Sequence, residues 1–539
     1  MTPPVPLSPT FDPAAWTAAA IDDLRTVLVR AGYTVDGVRV LLGDAASAAL
    51  ARNETTPAVA VLDRRDSGLV VTTALAVMAR LWTVQGRVDR AAAERAFGHV
   101  LEPLLCSGIL VGDGGDGGDL RAAIDLRPYG DETVDGWVVS DLIPGLDGMR
   151  RELPDDYVLG VNDAATTLAG LTLRHPVARV LDLGTGSGLQ TVHLAQHAET
   201  IVGTDVNPRA LRMARFAAAL NGVDVDWRDG SLLTPVAGET FDLVVTNPPF
   251  VVSPGPDVSA LTYRDSGVAG DAMVLGLVRD LPSVLAPGGV AQMLANWAHV
   301  AGEDWRDRLA VAVDAAAVPV HLWAVERELL DPAAYVEVWL ADAGMTGSPG
   351  YVEHYRRWLD WFDEAGIEAV GMGWLTLHRP STAAASVDRR FDELSGPVEQ
   401  PLAEAVARWV DAVDFLAGVA DDTALRGARL RATPELLAEQ WSAPGAPAPE
   451  HLVLRQQGLL RRAQAVDPAL AGFVGACDGD LDAGTLVDAI ASVLDVPEDD
   501  RPELAEQTLR SARDLLTAGL LLPPATSPTP AGAARAGRP

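Results

Sequence analysis

The chain of 539 residues has a formal net charge of −32, from 74 acidic and 42 basic side chains. Every basic residue is Arg, since the sequence contains no Lys. This excludes chemistries that need a lysine of the chain, such as a Walker phosphate loop or a Schiff base to pyridoxal phosphate. The 2 Cys residues are too few for a disulfide framework or a cysteine metal site, so no metal is predicted.

The acidic charge is concentrated in the last part of the chain. Residues 301–539 have a net charge of −18, whereas residues 151–300 have a net charge of −7. This charge disfavours non-specific binding to nucleic acid without excluding a local basic patch. The sequence shows neither a signal peptide nor an apolar run of about 18 residues, so we expect a cytoplasmic protein without a membrane span.

The first predicted domain, residues 1–150, is mainly helical. Apolar residues at helical spacing predict helices over 14–31 and 90–105. The second helix is followed by a short apolar strand, a loop of Asp and Gly at 112–119, and another strand over 120–126. This order predicts a winged helix, which either binds nucleic acid or mediates protein packing.

The second predicted domain, residues 151–385, alternates strands and helices. Its predicted strands are 178–183, 200–205, 223–227, 241–246, 289–296, 318–325 and 369–378. Two helices, over 332–343 and 351–365, are predicted between the last two strands. Such alternation predicts an α/β fold with a parallel sheet between layers of helices.

The third predicted domain, residues 386–525, is mainly helical like the first and contains a similar helix-to-strand segment. A helix that ends at Gly519 and leads into a short apolar strand resembles the segment 101–111, so a second winged-helix-like module is predicted. Residues 526–539 are predicted to be a disordered tail.

A glycine-rich turn follows the first strand of the middle domain. Ligands bind beyond the carboxyl ends of such strands, and glycines let the backbone approach them. Leu189 stands where a dinucleotide-binding turn needs its third glycine, which argues against a pyrophosphate ligand. An acid directly before the glycines suits a cationic ammonium group, although a structural tight turn remains the alternative. The residues are Asp182, Gly184, Gly186 and Gly188.

Acidic residues also end the next two strands. Asp205 can accept two hydrogen bonds from a ribose diol. The alternative is an acid at the start of the helix that begins at Asn207 and Pro208. Asp229, after the third strand, would face an adenine amine, or else simply form a turn.

The fourth strand ends in Asn247-Pro248-Pro249-Phe250. The Asn247 side-chain oxygen and the Pro248 carbonyl can accept both N–H bonds of a planar nitrogen, and so favour its attack on a methyl group. Phe250 can stack on the planar group that bears this nitrogen. The alternative is an ordinary turn that ends a strand.

In this order, the three motifs resemble class I S-adenosylmethionine-dependent methyltransferases of the small-domain type. This group includes HemK/PrmC-like protein-glutamine methyltransferases and adenine- or guanine-N methyltransferases. The resemblance covers about residues 155–380. It implies a Rossmann-like sheet of seven strands, the last antiparallel, with S-adenosyl-L-methionine as the cofactor.

The resemblance also implies a role for each motif residue. Asp182, Gly184, Gly186 and Gly188 would hold the methionine part of the cofactor. Asp205 would hold the ribose and Asp229 the adenine. Asn247 would border the cofactor and, with Pro248, Pro249 and Phe250, would hold the target nitrogen. Relatives cover the cofactor with the segment that corresponds to residues 157–163.

The sequence does not identify the methyl acceptor. The leading hypothesis is a protein glutamine, for example in a translation factor, because the motif looks HemK-like and the acidic charge disfavours a polyanion. The alternative enzyme acts on a base of rRNA, tRNA or DNA, and a small-molecule amine is a third acceptor. A non-catalytic interaction protein with a methyltransferase fold is the hypothesis from a different class. The sequence predicts no oligomeric state.

Overall fold

The structure is a computed structural model. It describes residues 11–66, 73–112, 118–131, 133–146, 153–255, 268–382, 387–419, 421–445 and 449–524. The predicted tail, 526–539, and most of the predicted loop at 112–119 lie outside these residues. Within the described part of the chain, no helix is both long and apolar enough to cross a membrane.

The N-terminal part is helical, as predicted, with short antiparallel strands. Its helices are α1 (Ala18–Ala31), α2 (Val35–Leu42), α3 (Asp44–Leu50), α4 (Thr56–Asp66), α5 (Ala74–Met78), α6 (Arg90–Phe97) and α7 (Leu101–Cys106). Its strands are β1 (Arg87–Val88), β2 (Leu110–Gly112), β3 (Leu120–Ala122), β4 (Asp125–Gly130) and β5 (Asp135–Ser140).

The predicted order of helix, strand, loop and strand occurs in α7, β2 and β3. These strands form an antiparallel sheet in the order β1-β3-β2, and β4 pairs with β5 in a separate hairpin. The strand predicted over 120–126 is interrupted after Ala122, because the amides of Ala123 and Ile124 both donate to the Ile109 carbonyl. The chain turns there and starts β4.

The middle part alternates strands and helices. Its strands are β6 (Val177–Leu183), β7 (Ala198–Asp205), β8 (Asp226–Asp229), β9 (Phe241–Thr246), β10 (Leu285–Val300), β11 (His321–Leu330) and β12 (Ile367–His378). Its helices are α8 (Asp163–Leu171), α9 (Leu189–Leu194), α10 (Pro208–Asn221), α11 (Ala272–Asp280), α12 (Trp305–Asp314), α13 (Pro332–Asp342) and α14 (Tyr351–Glu364).

Each segment predicted as a strand of the middle domain contains one. The third strand begins later than predicted, at Asp226, because Gly222 adopts a left-handed conformation (φ 72°) that caps α10, and a connecting segment follows. The fit of β7 against β8 requires Gly203, where a Cβ atom would lie 2.5 Å from the Trp227 ring.

The described residues divide into two compact units. The first comprises the described residues of the ranges 11–169, 174–318 and 328–377. Its sheet has the order β12-β10-β9-β6-β7-β8. The pairs β10/β9, β9/β6, β6/β7 and β7/β8 are parallel, so the carboxyl ends of these strands lie at one edge. The predicted seven-strand count is not confirmed in this unit, because β11 lies mainly in the second unit.

Helix α10 joins the N-terminal helices to the sheet within the first unit. The ring of Phe216 packs 5.6 Å from Phe11 and 5.2 Å from Trp16, between ring centroids. Arg25 of α1 donates two hydrogen bonds of 2.6 Å to the last carbonyls of α10, those of Ala219 and Leu220. Within this unit, α10 thus contacts helices from the N-terminal side of the predicted boundary at residue 150.

The second unit comprises residues 170–173 and 319–327 and the described residues from 378 to 524. Its further strands are β13 (Arg389–Glu393), β14 (Arg431–Ala432), β15 (Leu436–Trp441), β16 (His451–Gln456), β17 (Ala463–Val466) and β18 (Leu521–Leu522). Its helices are α15 (Ala403–Ala417), α16 (Asp422–Arg426), α17 (Pro468–Ala476), α18 (Ala483–Val493) and α19 (Arg501–Thr517).

Strands β14 to β18 form two small sheets, of two and three strands. β11 pairs with β13 in parallel, and β14 pairs with β18. The predicted strand after Gly519 is confirmed as β18, and Gly519 has a φ of 71°. The antiparallel sheet β15-β16-β17 was not predicted, because its strands mix apolar and polar residues and expose large apolar side chains such as Trp441.

Candidate active site

The glycine-rich turn lies at the carboxyl end of β6. The backbone amides of Gly184 and Thr185 both donate to the Thr204 carbonyl of the neighbouring strand, at 2.9 Å. Gly184 and Gly186 have φ values of 72° and 55°, in the left-handed region that disfavours residues with a Cβ atom. Both glycines line a cavity of about 480 Å³ at this edge of the sheet. The turn thus places backbone without side chains at the wall of a cavity large enough for a ligand.

Gly188 has a different role in the turn. It is the N-cap of α9 with a φ of 79°, and a Cβ atom there would lie 3.1 Å from the Ala214 Cβ atom of α10. Gly188 does not line the cavity, whereas its neighbours Ser187 and Leu189 do. The structure therefore explains Gly188 by helix packing, and its contact with the cofactor stays a prediction.

Asp182 is a buried acid that lines the cavity, with 1% of its surface exposed. Its Oδ2 accepts a 2.6 Å hydrogen bond from the Thr185 hydroxyl. Burial raises the pKa of Asp182 to about 7; the nearby charge of Asp205 adds to this rise, and the Thr185 hydrogen bond opposes it. A cationic ligand group in the cavity would stabilise the ionised form of this carboxyl.

Asp205, at the end of β7, lines the same cavity. Its Oδ2 accepts from the Gly186 amide and its Oδ1 from the Asn207 amide, both at 2.8 Å. Burial raises the pKa of Asp205, and the backbone hydrogen bonds oppose this rise. Asn207 caps α10, because its side-chain oxygen accepts from the Arg209 amide. Asp205 is thus not needed as the cap, and the second lone pair of each oxygen can accept a ligand hydroxyl.

Asp229 stands at the rim of the cavity. It ends β8 opposite Asp205 in the strand register, and its side chain is exposed. Asp229 does not line the cavity, but the next three residues, 230–232, do. Its contact with an adenine amine stays a prediction.

The motif after β9 borders the cavity with all four of its residues, Asn247, Pro248, Pro249 and Phe250. The strand is tied to β6 beside the glycine turn, where the Thr246 hydroxyl donates to the Leu183 carbonyl at 2.7 Å. The structure therefore brings together the three motifs that are separated in sequence.

A buried tyrosine supports the chain after this motif. The hydroxyl of Tyr335, on α13, accepts a 2.9 Å hydrogen bond from the Val252 amide and a 2.8 Å hydrogen bond from the Asn296 side chain of β10. Burial raises the pKa of Tyr335 far above its usual range, so the hydroxyl stays neutral. Tyr335 thereby fixes the backbone two residues beyond Phe250.

The cavity residues on α11 and α13 were not predicted from the sequence. Met273 and Leu277 come from α11 and Trp339 from α13. The Trp339 ring lies 6.1 Å from that of Phe250, at an angle of 66°. No sequence signal separates these residues from ordinary core residues, because apolar side chains on an amphipathic helix face serve either purpose.

The segment predicted to cover the cofactor does line the cavity, through Tyr157, Val158, Leu159, Gly160 and Asn162. It is anchored by Asp141, whose Oδ2 accepts from the Val158 amide at 2.8 Å.

The sequence also places Arg209, Arg212, Arg215 and Arg264 near the predicted cleft, as cations that would steer a substrate. Arg264 lies outside the described residues, and the other three do not line the cavity. Arg209 is buried against Asp141 and therefore cannot steer a substrate.

Residues 263–265 and 270–271 follow the motif in sequence, where they would either shape the acceptor pocket or cap the start of a helix. Residues 263–265 lie outside the described residues. Asp271 does not line the cavity; it is buried and paired with Arg308 at 2.7 Å. Its Oδ2 also accepts from the Ala298 amide. Asp271 thus stabilises the packing of α11 and α12 on the sheet.

Comparison with known proteins matches three segments to families. Residues 154–262 match the family described as Methyltransferase small domain. Residues 30–123 and 407–523 match two domains of unknown function, DUF7059 and DUF7782. The match to the Methyltransferase small domain spans the glycine-rich turn, Asp205, Asp229 and the Asn-Pro-Pro-Phe motif.

Several relatives with names are similar to about a quarter of the chain. A putative protein N5-glutamine methyltransferase of Methanocaldococcus jannaschii is 34% identical over 22% of this chain and 61% of its own length. A release factor glutamine methyltransferase of Geobacter sulfurreducens is 36% identical over 26% and 59%. A ribosomal RNA small subunit methyltransferase C of Alcanivorax borkumensis is 32% identical over 22% and 32%.

The chain spans about a third to three fifths of the length of these relatives. The description of the matched family and the names of the relatives all refer to methyltransferases. Residues 154–262 are thus similar to the methyltransferase small-domain family, and parts of the chain are similar to named glutamine and ribosomal RNA methyltransferases, as the sequence motifs predict.

Proposed function

We propose that the protein is an S-adenosylmethionine-dependent N-methyltransferase that methylates the side-chain amide of a protein glutamine. The observation that supports it most strongly is the convergence of Asp182, Asp205 and the residues 247–250 on one cavity. Its volume of about 480 Å³ is in the usual range for small-molecule sites.

The cavity residues fit the parts of S-adenosylmethionine. Among the described residues, no cation lowers the raised pKa of the buried Asp182 carboxyl, and the cofactor ammonium would supply one. Asp205 has lone pairs for a ribose diol, and Asp229 at the rim would accept from the adenine amine. The bound cofactor would supply an electrophilic sulfonium methyl group.

The residues of the motif would activate the acceptor nitrogen. An amide nitrogen is a weak nucleophile, because its lone pair is delocalised. The Asn247 side-chain oxygen and the Pro248 carbonyl accept its two N–H bonds, orient the lone pair toward the methyl group, and favour sp³ character as the bond forms. Phe250 packs against the planar group.

The walls of the cavity favour a neutral acceptor. The lining residues contributed by the segment 247–251, by α11 and by α13 are all uncharged. A nucleic acid would need cations for its phosphates. The relatives named as glutamine methyltransferases agree with this acceptor.

Methylation of an adenine or guanine base in rRNA, tRNA or DNA is the second candidate. It is favoured by the helix and antiparallel strands over 87–122, which we propose to be a winged helix, and by the relative named as an rRNA methyltransferase. A small-molecule amine and a non-catalytic interaction role remain as further alternatives. We also propose that the protein is cytoplasmic. We propose domain boundaries near residues 150 and 385.

Two measurements, made one after the other, test the proposal. Calorimetry with purified protein and S-adenosylmethionine should show binding, and absence of binding would exclude both enzyme hypotheses. Tritiated methyl transfer to a cell lysate, followed by separate protease and nuclease digestion, should then give label that only protease releases. Label released only by nuclease would replace the glutamine proposal with the base proposal.

A further inference from the structure

A helical pair is inserted between β11 and β12, and one face of its first helix reaches the active-site cavity. Asp331 caps α13 by accepting from the Ala334 amide at 2.9 Å, and Pro332 occupies the first turn. Tyr335 and Trp339 lie four residues apart and therefore share one face of this helix. Both are buried, with 0% and 5% of their surfaces exposed.

Trp339 and Phe250 form a corner of two aromatic rings. Their centroids are 6.1 Å apart, their planes are inclined by 66°, and both residues line the cavity. A planar group in such a corner meets the face of one ring and the edge of the other, which is a favourable aromatic arrangement. Phe250 belongs to the motif that would hold the acceptor nitrogen, so Trp339 stands beside the acceptor.

The chemistry around this corner matches a neutral planar group. Val251, Met273 and Leu277 complete the described lining near the motif and on α11, and all are apolar. Three acids line the cavity, and none comes from the motif, α11 or α13: Asp182 and Asp205 end β6 and β7, and Asp155 lies in the segment before α8. A carboxamide, which is planar and uncharged, fits this part of the cavity.

The position of Trp339 is held by its own helix. The ring of Tyr335 packs 5.9 Å from that of Trp339, and the Tyr335 hydroxyl is bonded to the chain after the motif. Because Tyr335 ties α13 to the residue two beyond Phe250, the two rings of the corner keep a fixed separation. The corner is thus a built feature and not a chance contact between two mobile parts.

We propose that Trp339 is a specificity-determining residue that contacts the methyl acceptor and holds its carboxamide against Phe250. This inference rests on the proposed function and adds a residue of the inserted helix to it. Trp339 would affect the acceptor far more than the cofactor, because the cofactor residues come from β6 and β7.

The test compares W339A and W339F with the wild-type protein. V338A is the matched control, because Val338 lies on the same helix but 45% of its surface is exposed. The acceptor probes are a synthetic peptide with one glutamine between glycines and an RNA oligonucleotide. Calorimetry gives the Kd for S-adenosylmethionine, and tritium transfer gives KM and kcat for the acceptor.

We expect W339A to raise the KM for the peptide about tenfold, as for the loss of an aromatic contact. W339F should keep KM within about threefold of wild type, because it retains a ring. V338A should match wild type, and the Kd for S-adenosylmethionine should change less than about twofold in all three variants.

The outcomes separate this inference from the proposed function. A wild-type protein that methylates the peptide while W339A keeps the same KM overturns the inference alone. A parallel rise of the peptide KM and the S-adenosylmethionine Kd in W339A and W339F also overturns the inference, because it indicates a structural role for Trp339. A wild-type protein that binds no S-adenosylmethionine, or methylates neither probe, overturns the proposed function. Methylation of the RNA alone overturns the carboxamide acceptor.

Discussion

Arg209 and Asp141 form a buried ion pair beside the active-site cavity. Arg209 Nη2 lies 2.5 Å from Asp141 Oδ1, and Nε lies 3.1 Å from Oδ2. Asp141 also accepts from the amide of Val158, which lines the cavity. One carboxyl thus links the start of α10 to the segment that would cover the cofactor.

Asp141→Asn should destabilise the protein and weaken cofactor binding. Removing one charge leaves Arg209 buried without its partner, which costs about 3–5 kcal/mol for such pairs. Urea unfolding and calorimetry with S-adenosylmethionine measure the two effects. The double variant Asp141→Asn with Arg209→Met should recover part of the stability, because no unpaired charge remains. Equal stability of the single and double variants would contradict this account.

The raised pKa of Asp182 predicts a pH-dependent stability. The folded protein keeps this proton up to a pH of about 7, whereas the unfolded chain loses it near the ordinary value of 3.8. Because the folded state binds more protons in this interval, ionisation of Asp182 lowers the stability as the pH rises from about 4 to 7. Above pH 7 the penalty is constant, with an upper limit of about 4 kcal/mol at ~1.4 kcal/mol per pKa unit.

Asp182→Asn should remove this penalty. We expect the variant to be more stable than wild type at pH 8 and to lose that advantage toward pH 4, as measured by urea unfolding at several pH values. The same variant should bind S-adenosylmethionine more weakly, since it lacks a carboxylate for the ammonium. A stability difference that does not change with pH would show that Asp182 is not the titrating group.

The methyltransferase core could be predicted from the sequence because its signals are local. Apolar runs that end in Gly, Asp or Asn mark strands and their carboxyl ends, and parallel pairing brings those ends to one edge. The bounds of β9 match the predicted segment, Phe241–Thr246. The convergence of Asp182, Asp205 and Asn247 on one cavity follows from the same rule.

Features that depend on distant partners could not be predicted. Arg209 looks like a cleft cation in sequence, but its partner Asp141 lies 68 residues earlier. The sequence of the Ala-rich helix α10 does not indicate that it packs against both the N-terminal helices and the sheet. Alanine is compatible with any neighbour of the right size. Trp339 could not be predicted either, because an apolar residue on a helix has the same sequence pattern whether it lies in a core or lines a cavity.

Tyr335→Phe should lower kcat with little change in the binding of either substrate. The substitution removes the hydroxyl that accepts from the Val252 amide and the Asn296 side chain, and it leaves these buried donors without a partner. The motif would then lose part of its alignment, and misplacement of reacting groups reduces the rate strongly. Steady-state kinetics should show a fall of about tenfold or more in kcat, while calorimetry gives an unchanged Kd for S-adenosylmethionine. A fall confined to thermal stability, with normal kcat, would assign Tyr335 to packing alone.

Asn247→Ala should separate cofactor binding from methyl transfer. The side-chain oxygen of Asn247 is one of the two acceptors that would hold the acceptor nitrogen, whereas Asp182 and Asp205 would hold the cofactor. Removal of one oriented hydrogen-bond partner from a transition state costs about 10²–10³ in kcat in comparable enzymes. We therefore expect calorimetry to show nearly wild-type affinity for S-adenosylmethionine and tritium transfer to fall at least a hundredfold.

Asn296→Ala is a matched control for Asn247→Ala, because Asn296 bonds to Tyr335 and does not line the cavity. Loss of its amide removes one of the two donors to the Tyr335 hydroxyl but keeps the hydrogen bond from the Val252 amide. The motif therefore keeps its backbone anchor, and the fall in transfer should be much smaller than for Asn247→Ala. Equal losses in the two variants would indicate that Asn247 acts through the fold of the loop, whereas unchanged transfer in Asn247→Ala would remove it from the catalytic residues.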